Sequence, residues 1–436
     1  MREMKESGIA WIGVIPQDWE IVRTKSLYCS AKEIAGDRAD DFERLALTLN
    51  GVIKRSKEDS VGLQPEKFSG YQILKKGELV FKLIDLENVA TSRVGLSPYT
   101  GIVSPAYIVL SKQSRAKDLV VRYSMYHFLS MWQREIFNQM GDNGVRSSLN
   151  AKELLNIPHP FPSIYEQKRI VTFLDAQCAE IDTVLEKTRA SIEEYKKLKQ
   201  AVITQAVTKG IRGDRPMKDS GIEWIGDIPA EWRKTQLRHC AAIKSGITLG
   251  KKYEKTDSLV ERPYLRVANV QDGYVDLSVL TTIEVTQDED LKYRLRAGDV
   301  LMTEGGDRDK LGRGCVWHGE IEPCLHQNHI FAVQTSKDTL LPEFLEYLTV
   351  SDVGRSYFDV TAIKTTNLAC TSSSKVLAFT IPLPSVEEQA EIVEALNTKC
   401  AGIDALVAKK QQYLTEIENY KKSLIYEYVT GKKEVG

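Results

Sequence analysis

Two long segments carry apolar residues at spacings that alternate between four and three. The pattern runs from Leu174 to Ala206 in one segment and from Leu396 to Tyr428 in the other. Sustained over four heptads, it is typical of a coiled-coil seam, so we predict two long helices that pair. Two amphipathic helices packed separately on globular cores remain the alternative. The seam positions are Leu174, Cys178, Ile181, Leu185, Thr188, Ile192, Tyr195, Lys199, Val202 and Ala206, then Leu396, Cys400, Ile403, Val407, Lys410, Leu414, Ile417, Lys421, Leu424 and Tyr428.

Local signals delimit both helices. Ser163 is followed three residues later by Glu166, and Ser385 by Glu388. Ser-x-x-Glu is the capping box that begins many helices, with the serine and the glutamate each capping a backbone N–H. Each segment reaches a glycine just after its last apolar position, which is a common stop. The predicted helical segments are 163–212 and 384–433.

The chain is a tandem repeat of one unit. The two helical segments align without a gap at an offset of 222 residues, and "SGIAWIGVIP" from Ser7 returns as "SGIEWIGDIP" from Ser220. We call 7–19 and 220–232 the frame motifs, and expect their apolar side chains to pack against the base of a helix. The predicted domains are 1–162 (first globular domain), 163–212 (first helix), 213–383 (second globular domain) and 384–433 (second helix).

The segments between frame and helix resemble each other only loosely. Each alternates short β-rich runs with turns and then predicts one late helix, over 119–137 and 342–358. We predict an α+β fold in which two globular domains are separated by two long antiparallel coiled-coil helices, related as a pseudo-twofold tandem repeat. A repeated frame with different middles favours two different recognition surfaces. The β-rich runs include 78–84, 105–110, 263–270, 299–304, 314–319 and 329–334.

Composition narrows the possible classes of protein. The 436 residues carry a net charge of −1, so any nucleic-acid surface must be local rather than general. No apolar run approaches the ~18 residues of a membrane span, and the first residues do not resemble a secretory signal. The seven cysteines are scattered and odd in number. Together these features favour a cytoplasmic protein with reduced thiols and no membrane partner.

Known catalytic motifs are missing from the sequence. It contains no phosphate-binding loop, dinucleotide fingerprint, nucleophile elbow or His-Glu-x-x-His pair, so we predict no catalytic residue and no metal ligand. One cluster, Cys315, His318, Cys324, His326 and His329, does not follow a standard zinc spacing. Polar donors near a ligand, or an internal polar network, are the other interpretations of that cluster.

The remaining polar chemistry suits DNA. Arg, Lys and Asn read base edges, and Arg, Lys and Ser hold phosphates. We predict DNA contacts at twelve residues, although an ordinary solvated side chain is the alternative at each. They are Lys54, Arg55, Arg93, Asn143, Arg146 and Ser147 in the first half, and Lys251, Lys252, Arg308, Arg313, Lys364 and Asn367 in the second.

The order of these parts resembles a known family, the DNA-specificity subunits of type I restriction-modification systems. The similarity rests on the doubled frame motif, the doubled Pro-Ser-x-x-Glu-Gln before a long helix, the Gly-Arg turn and strand at 312–316, and "SPAY" at 104–107. It covers essentially the whole chain. Single motifs would be weak, whereas their tandem order is specific.

The resemblance implies a non-catalytic subunit that binds double-stranded DNA. Each globular domain would be a target recognition domain that reads half of a bipartite, asymmetric site. The helices would set the gap and dock methyltransferase subunits, two of which are expected. Restriction and translocation would belong to further partner subunits. S-adenosylmethionine, ATP and Mg would be bound by partners, with no cofactor in this chain.

Two alternatives remain open from the sequence. One is the specificity subunit of a related system, whose partner fuses methyltransferase and nuclease in one polypeptide. The other is a scaffold that does not bind DNA and holds two protein ligands apart on a coiled coil.

Overall fold

The computed structural model describes residues 2–49, 51–59, 67–84, 86, 93–140, 148–254, 258–306, 311–364 and 369–436. Contacts divide the chain into two compact units. Unit 1 is Met1–Arg189 with Gln412–Gly436, and unit 2 is Ala190–Gln411. Each unit therefore combines one frame motif, one globular portion and part of each long helical segment. The domain boundaries predicted from the repeat follow chain order instead, and they stay a prediction.

Unit 1 contains two four-stranded sheets that pack against each other. One has the strand order β6-β5-β10-β7 and the other β4-β11-β8-β9. Leu47, Val52 and Val80 share the core between them. The elements are β1 (Met4–Glu6), β2 (Val14–Pro16), β3 (Glu20–Arg23), α1 (Thr24–Leu27), β4 (Tyr28–Cys29), β5 (Arg44–Thr48), β6 (Gly51–Arg55), β7 (Gln72–Leu74), β8 (Leu79–Lys82), β9 (Arg93–Leu96), β10 (Gly101–Val103), β11 (Ile108–Lys112), α2 (Val121–Gln133), α3 (Ala151–Asn156), β12 (Pro158–Phe161) and α4, which begins at Ile164.

Unit 2 is built around a sheet of order β16-β23-β19-β21. Its globular portion also contains two three-stranded sheets, β18-β17-β22 and β20-β25-β24, and the two-stranded sheet β15-β26. The elements are β13 (Met217–Asp219), β14 (Asp227–Pro229), β15 (Arg233–Gln236), β16 (Ala241–Ser245), β17 (Leu259–Leu265), β18 (Thr281–Thr286), α5 (Gln287–Tyr293), β19 (Val300–Thr303), β20 (Gly305–Gly306), β21 (Gly314–Val316), β22 (Leu325–His326), β23 (Ile330–Thr335), α6 (Pro342–Val350), α7 (Asp352–Thr361), β24 (Ile363–Lys364), β25 (Ala369–Cys370), α8 (Ser373–Ala378), β26 (Thr380–Leu383) and α9, which begins at Val386.

The two long helices confirm the predicted seams. Helix α4 spans Ile164–Lys209 and α9 spans Val386–Val429. All twenty seam positions are buried or partly buried. No helix in the described part of the chain is long and apolar enough to cross a membrane.

Ion pairs between the helices show that they run antiparallel. In unit 1, Lys421 Nζ lies 2.6 Å from an Asp182 carboxylate oxygen. In unit 2, Lys199 Nζ lies 2.7 Å from Asp404. Asp182 corresponds to Asp404 at the repeat offset of 222 residues, and Lys199 corresponds to Lys421. The same Lys–Asp ion pair therefore occurs once in each unit. Two of the three seam lysines, Lys199 and Lys421, therefore each find a carboxylate on the facing helix, and the third, Lys410, lies over the Tyr195 ring.

The second late helix differs from its prediction. The segment 342–358 forms two helices rather than one, with a break at Ser351. Ser351 is extended and fully buried, and its hydroxyl accepts a hydrogen bond from the Gly354 N–H. Serine competes for backbone hydrogen bonds in this way and favours helix N-caps over helix interiors. Periodicity alone missed this break.

Each frame motif packs where one long helix begins and the other ends. In unit 1, Ile15 and Trp19 are fully buried in a core that includes Leu174 of α4 and Ile425 of α9. In unit 2, Ile228 and Trp232 are buried in a core that includes Val207 of α4 and Leu396 of α9. This is the packing at the helix base that the repeated motif predicted.

Polar anchors repeat together with this packing. Trp19 Nε1 donates to Glu166 at 2.8 Å, and Trp232 Nε1 donates to Glu388 at 2.9 Å. The serine half of each predicted capping box is present, since the Glu166 N–H donates to Ser163 and the Glu388 N–H donates to Ser385. The glutamate half is wrong, because each carboxylate accepts from a frame tryptophan instead of capping its own helix. Arg2 and Arg215 also bind these carboxylates.

The glutamine of the repeated Glu-Gln pair has a separate role. Gln167 donates to the Asp118 and Pro162 carbonyls and accepts from the Val120 N–H. Gln389 makes the same three bonds in unit 2, to Thr339, Pro384 and Leu341. Each glutamine therefore links the base of its long helix to the globular portion.

Replacing Trp11 or Trp224 by alanine should lower the free energy of unfolding by about 2 kcal/mol, roughly half the value for a fully buried tryptophan. Both side chains are partly buried against the unit cores. Denaturant unfolding would measure the change, and Tyr165→Ala, at a side chain that is 69% exposed, is the matched control. We expect the recognised DNA sequence to stay the same, and an altered methylation motif would contradict a purely structural role.

Candidate nucleic-acid interface

One end of the main sheet of unit 2 gathers several loops. Thr303 pairs with Ile330 and Met302 with Gly314, and β16 reaches the same end at Ser245. These residues are strand ends, so the chain leaves or re-enters the sheet there. We call this end the loop edge. The segments that meet it are 246–254, 304–306, 311–313 and 326–329.

Backbone hydrogen bonds hold the loop edge together. The Asn328 N–H donates to Ile247 at 3.1 Å, and the Glu304 N–H donates to His329 at 2.9 Å. The Thr371 N–H also donates to Glu304, at 2.7 Å. Strand β25 pairs with both β20 and β24, which brings 363–364 and 369–371 to the same edge.

The predicted contact residues of unit 2 that the structure describes lie on these segments. Lys252 is exposed, and the exposed Lys251 forms an ion pair with Glu289 on α5. Arg313 is partly buried, and its Nη1 donates to Gln271 at 3.3 Å. The structure therefore places these cations on segments at the same end of one sheet, although Lys252 and Arg313 are 61 residues apart in sequence.

The other predicted contacts of unit 2 are described in part or not at all. The backbone of Lys364 lies on β24, opposite Ala369. The Lys364 side chain, Arg308 and Asn367 lie outside the described residues. Those three contacts stay predictions.

Glu304 and His329 form a polar pair on the loop edge. His329 Nδ1 lies 2.5 Å from Glu304 Oε2. The side chains are 55% and 32% exposed, so the imidazole faces solvent while the carboxylate supports it. The exposed ring atoms can reach a ligand without any change in the fold.

The other cysteines and histidines of this region have different surroundings. Cys315, Cys324 and His326 are buried in the core. Burial raises the pKa of both thiols to about 12 and lowers the pKa of His326 to about 4. Among the described residues, no three His, Cys, Asp or Glu side chains are placed to hold a metal ion.

Unit 1 has an arginine cluster to which both of its four-stranded sheets contribute. Arg44 and Arg55 are direct cross-strand neighbours on β5 and β6. Burial raises the pKa of the Tyr107 hydroxyl, and the positive charges of Arg44, Arg55 and Arg93 oppose that rise. Three arginines therefore lie within electrostatic reach of one tyrosine. Such a cluster suits a phosphate group.

Arg93 lies deeper than the other predicted contacts. It is 7% exposed, its guanidinium lies 5.5 Å from the centre of the Trp132 ring, and burial lowers its pKa. Arg93 begins β9 opposite Lys82, and the Leu149 N–H donates to Leu83 just beyond. Leu149 therefore lies near Arg93 in the fold. The predicted contacts Asn143, Arg146 and Ser147 lie outside the described residues.

Lys54 and Arg55 are held by carboxylates. Lys54 Nζ lies 2.7 Å from Glu43, and Arg55 Nε lies 2.6 Å from Asp59. The Lys54 side chain is 56% exposed, whereas that of Arg55 is 29% exposed. Exposed pairs of this kind contribute little stability, so the Lys54 ammonium can exchange its carboxylate for a phosphate at low cost.

Arg44 and Glu304 are not among the contacts predicted from the sequence. The alternation in "RLALT" carries a signal for Arg44, because Leu45 and Leu47 are buried and an arginine one position away faces the other side of the strand. Glu304 had no comparable signal. It meets His329 only because β19 and β23 pair in one particular register.

Comparisons with known proteins agree with the sequence resemblance. No protein-family model matches the chain. The type I restriction enzyme MjaVIII specificity subunit of Methanocaldococcus jannaschii is 25% identical over 434 residues, which cover 97% of this chain and 94% of that protein. The type I restriction enzyme EcoKI specificity subunit of Escherichia coli K12 is 25% identical over 331 residues, covering 73% and 67%.

The fold has a counterpart among solved structures. A chain from "Structural basis underlying complex assembly and conformational transition of the type I R-M system" superimposes with a TM-score of 0.69 at 16% identity, covering 96% of this chain and 99% of that one. The likeness therefore covers almost the whole chain. Motif order, fold and relatives agree, and the chain is similar over almost its whole length to type I restriction enzyme specificity subunits.

Proposed function

We propose that this chain is the DNA-recognition subunit of a type I restriction-modification complex. The globular portion of each unit reads one half of a bipartite, asymmetric site. The paired helices α4 and α9 set the spacing between the halves. The observation that carries this proposal is a contrast between the two units. The contacts that anchor the long helices are the same in both units, whereas the polar surfaces of the globular portions differ.

The anchors repeat residue for residue. The Trp-Glu-Arg contact, the glutamine link and the Lys-Asp pair each occur once in unit 1 and once in unit 2. The polar chemistry differs, with a largely buried arginine cluster beside the exposed Lys54 in unit 1 and a loop edge with two exposed lysines and an exposed histidine in unit 2. A common scaffold with two different polar surfaces is what reading two unrelated half-sites requires.

We propose double-stranded DNA, two modification methyltransferase subunits and the restriction and translocation subunits as partners. The S-adenosylmethionine, ATP and Mg that methylation and cleavage need belong to those partners. This chain contributes binding and positioning rather than catalysis. Its place of action in this proposal is the cytoplasm. The names of the relatives support this role, and neither the fused-partner system nor the protein scaffold is favoured by them.

The test is binding and methylation by the complex assembled with its methyltransferase subunits. We expect sequencing of methylated bases in cells that express the complex to reveal one bipartite motif with a fixed gap. We also expect a gel shift to show selective binding to that motif over random DNA, with affinity falling as salt rises. Absence of any sequence-selective complex would overturn the DNA-recognition role.

A further inference from the structure

We propose that the Glu304–His329 pair reads one base of the half-site bound by unit 2, through a hydrogen-bond acceptor at His329 Nε2. The ligand chemistry is the exocyclic amino group of cytosine or adenine in the major groove. This inference rests on the proposed function and adds a specificity-determining residue to it.

The pair is fixed in place by the backbone. The Glu304 N–H donates to the His329 carbonyl at 2.9 Å, directly beyond the Thr303–Ile330 pair of β19 and β23. Its side chains then meet at 2.5 Å. The imidazole is thus positioned by a sheet end rather than by a loop of its own.

The carboxylate determines which ring nitrogen carries hydrogen. An ionised carboxylate only accepts hydrogen bonds, so Nδ1 is the donor in this contact. In the neutral imidazole Nε2 is then left with a free lone pair. In the major groove such an acceptor matches the N4 amino group of cytosine or the N6 amino group of adenine, while guanine and thymine present acceptors at the equivalent sites.

The surroundings supply the remaining requirements for base reading. Lys251, Lys252 and Arg313 lie on segments of the same loop edge and can hold the phosphates that orient a duplex. The 55% exposure of His329 leaves its ring accessible.

The experiment compares variants in the complete methyltransferase complex. We expect His329→Ala and Glu304→Ala to relax discrimination by about tenfold at the same single position of the half-site. Glu304→Gln should retain the preference, because its amide oxygen still accepts from Nδ1. The matched control is His239→Ala, an exposed histidine next to Cys240 at the other end of the β16–β23 pair. It should leave the motif unchanged.

Competition binding against DNAs substituted at each position, together with sequencing of methylated bases, provides the readout. Folding of each variant is checked by thermal unfolding. An unchanged motif in both folded alanine variants would overturn the inference, as would an equal loss of affinity for every sequence. Failure of the wild-type complex to select any sequence would instead reject the proposed function.

Discussion

Glu388→Ala is expected to lower the free energy of unfolding by about 3 kcal/mol, among the largest effects of any single substitution in unit 2. Glu388 is 4% exposed, and its carboxylate accepts from Trp232 Nε1 and Arg215 Nη1. Removing it leaves the buried indole N–H without its acceptor, and leaves the largely buried guanidinium with only the exposed Glu231 and the Lys209 carbonyl as partners. Urea unfolding of the purified protein measures the loss.

A neighbouring carboxylate provides the control for this prediction. Glu391 lies one helical turn later and pairs with Arg212 at 2.7 Å, but its side chain is 47% exposed. Glu391→Ala should therefore cost no more than about 0.5 kcal/mol. Equal losses in the two variants would show that the Trp232 anchor does not stabilise unit 2 as described.

Acid is expected to destabilise unit 1 between pH 6.5 and pH 4. His127 and His159 are buried with ring centres 4.6 Å apart. Burial lowers both pKa values, that of His159 to about 4. The unfolded chain therefore takes up protons near pH 6.5 while the folded chain stays neutral, so stability is complete above pH 6.5 and is lost as the pH falls. His159 alone accounts for about 3 kcal/mol by pH 4.

The measurement is urea unfolding followed from pH 7.5 to pH 4.5. His159→Phe should flatten the pH dependence, because phenylalanine cannot bind a proton, even if it lowers stability at pH 7.5. His239→Phe is the control, since that histidine is exposed. A wild-type pH dependence that persists unchanged in His159→Phe would contradict the assignment.

The features that could be predicted from sequence are those that depend on the spacing of residues close together along the chain. The seams of α4 and α9 follow from apolar residues spaced by three and four, which any α-helix places on one face. The capping boxes were half wrong because Glu166 and Glu388 find stronger partners far along the chain. Tertiary contacts determine which donor such a carboxylate binds, and a local motif carries no information about those contacts.

The candidate sites show the same limit in another form. Sequence chemistry selected Lys251, Lys252 and Arg313 separately, and strand register brought their segments to one edge. Register follows from which strands pair, and that depends on residues far apart in sequence. Arg93 illustrates the converse, because its residue type suits DNA while its burial could be learned only from the fold.

The last 25 residues belong to the first unit, although they follow the second globular portion along the chain. There the Tyr123 hydroxyl donates to the Val429 carbonyl in the core, and the Lys432 ammonium donates to the Ile12 carbonyl. A nonsense mutation near the end of the gene would therefore damage unit 1, whose globular portion is encoded first, and with it the recognition of the half-site that unit 1 reads. In a genetic screen, such late truncations would share a phenotype with lesions in the opening codons and differ from lesions in the adjacent second half.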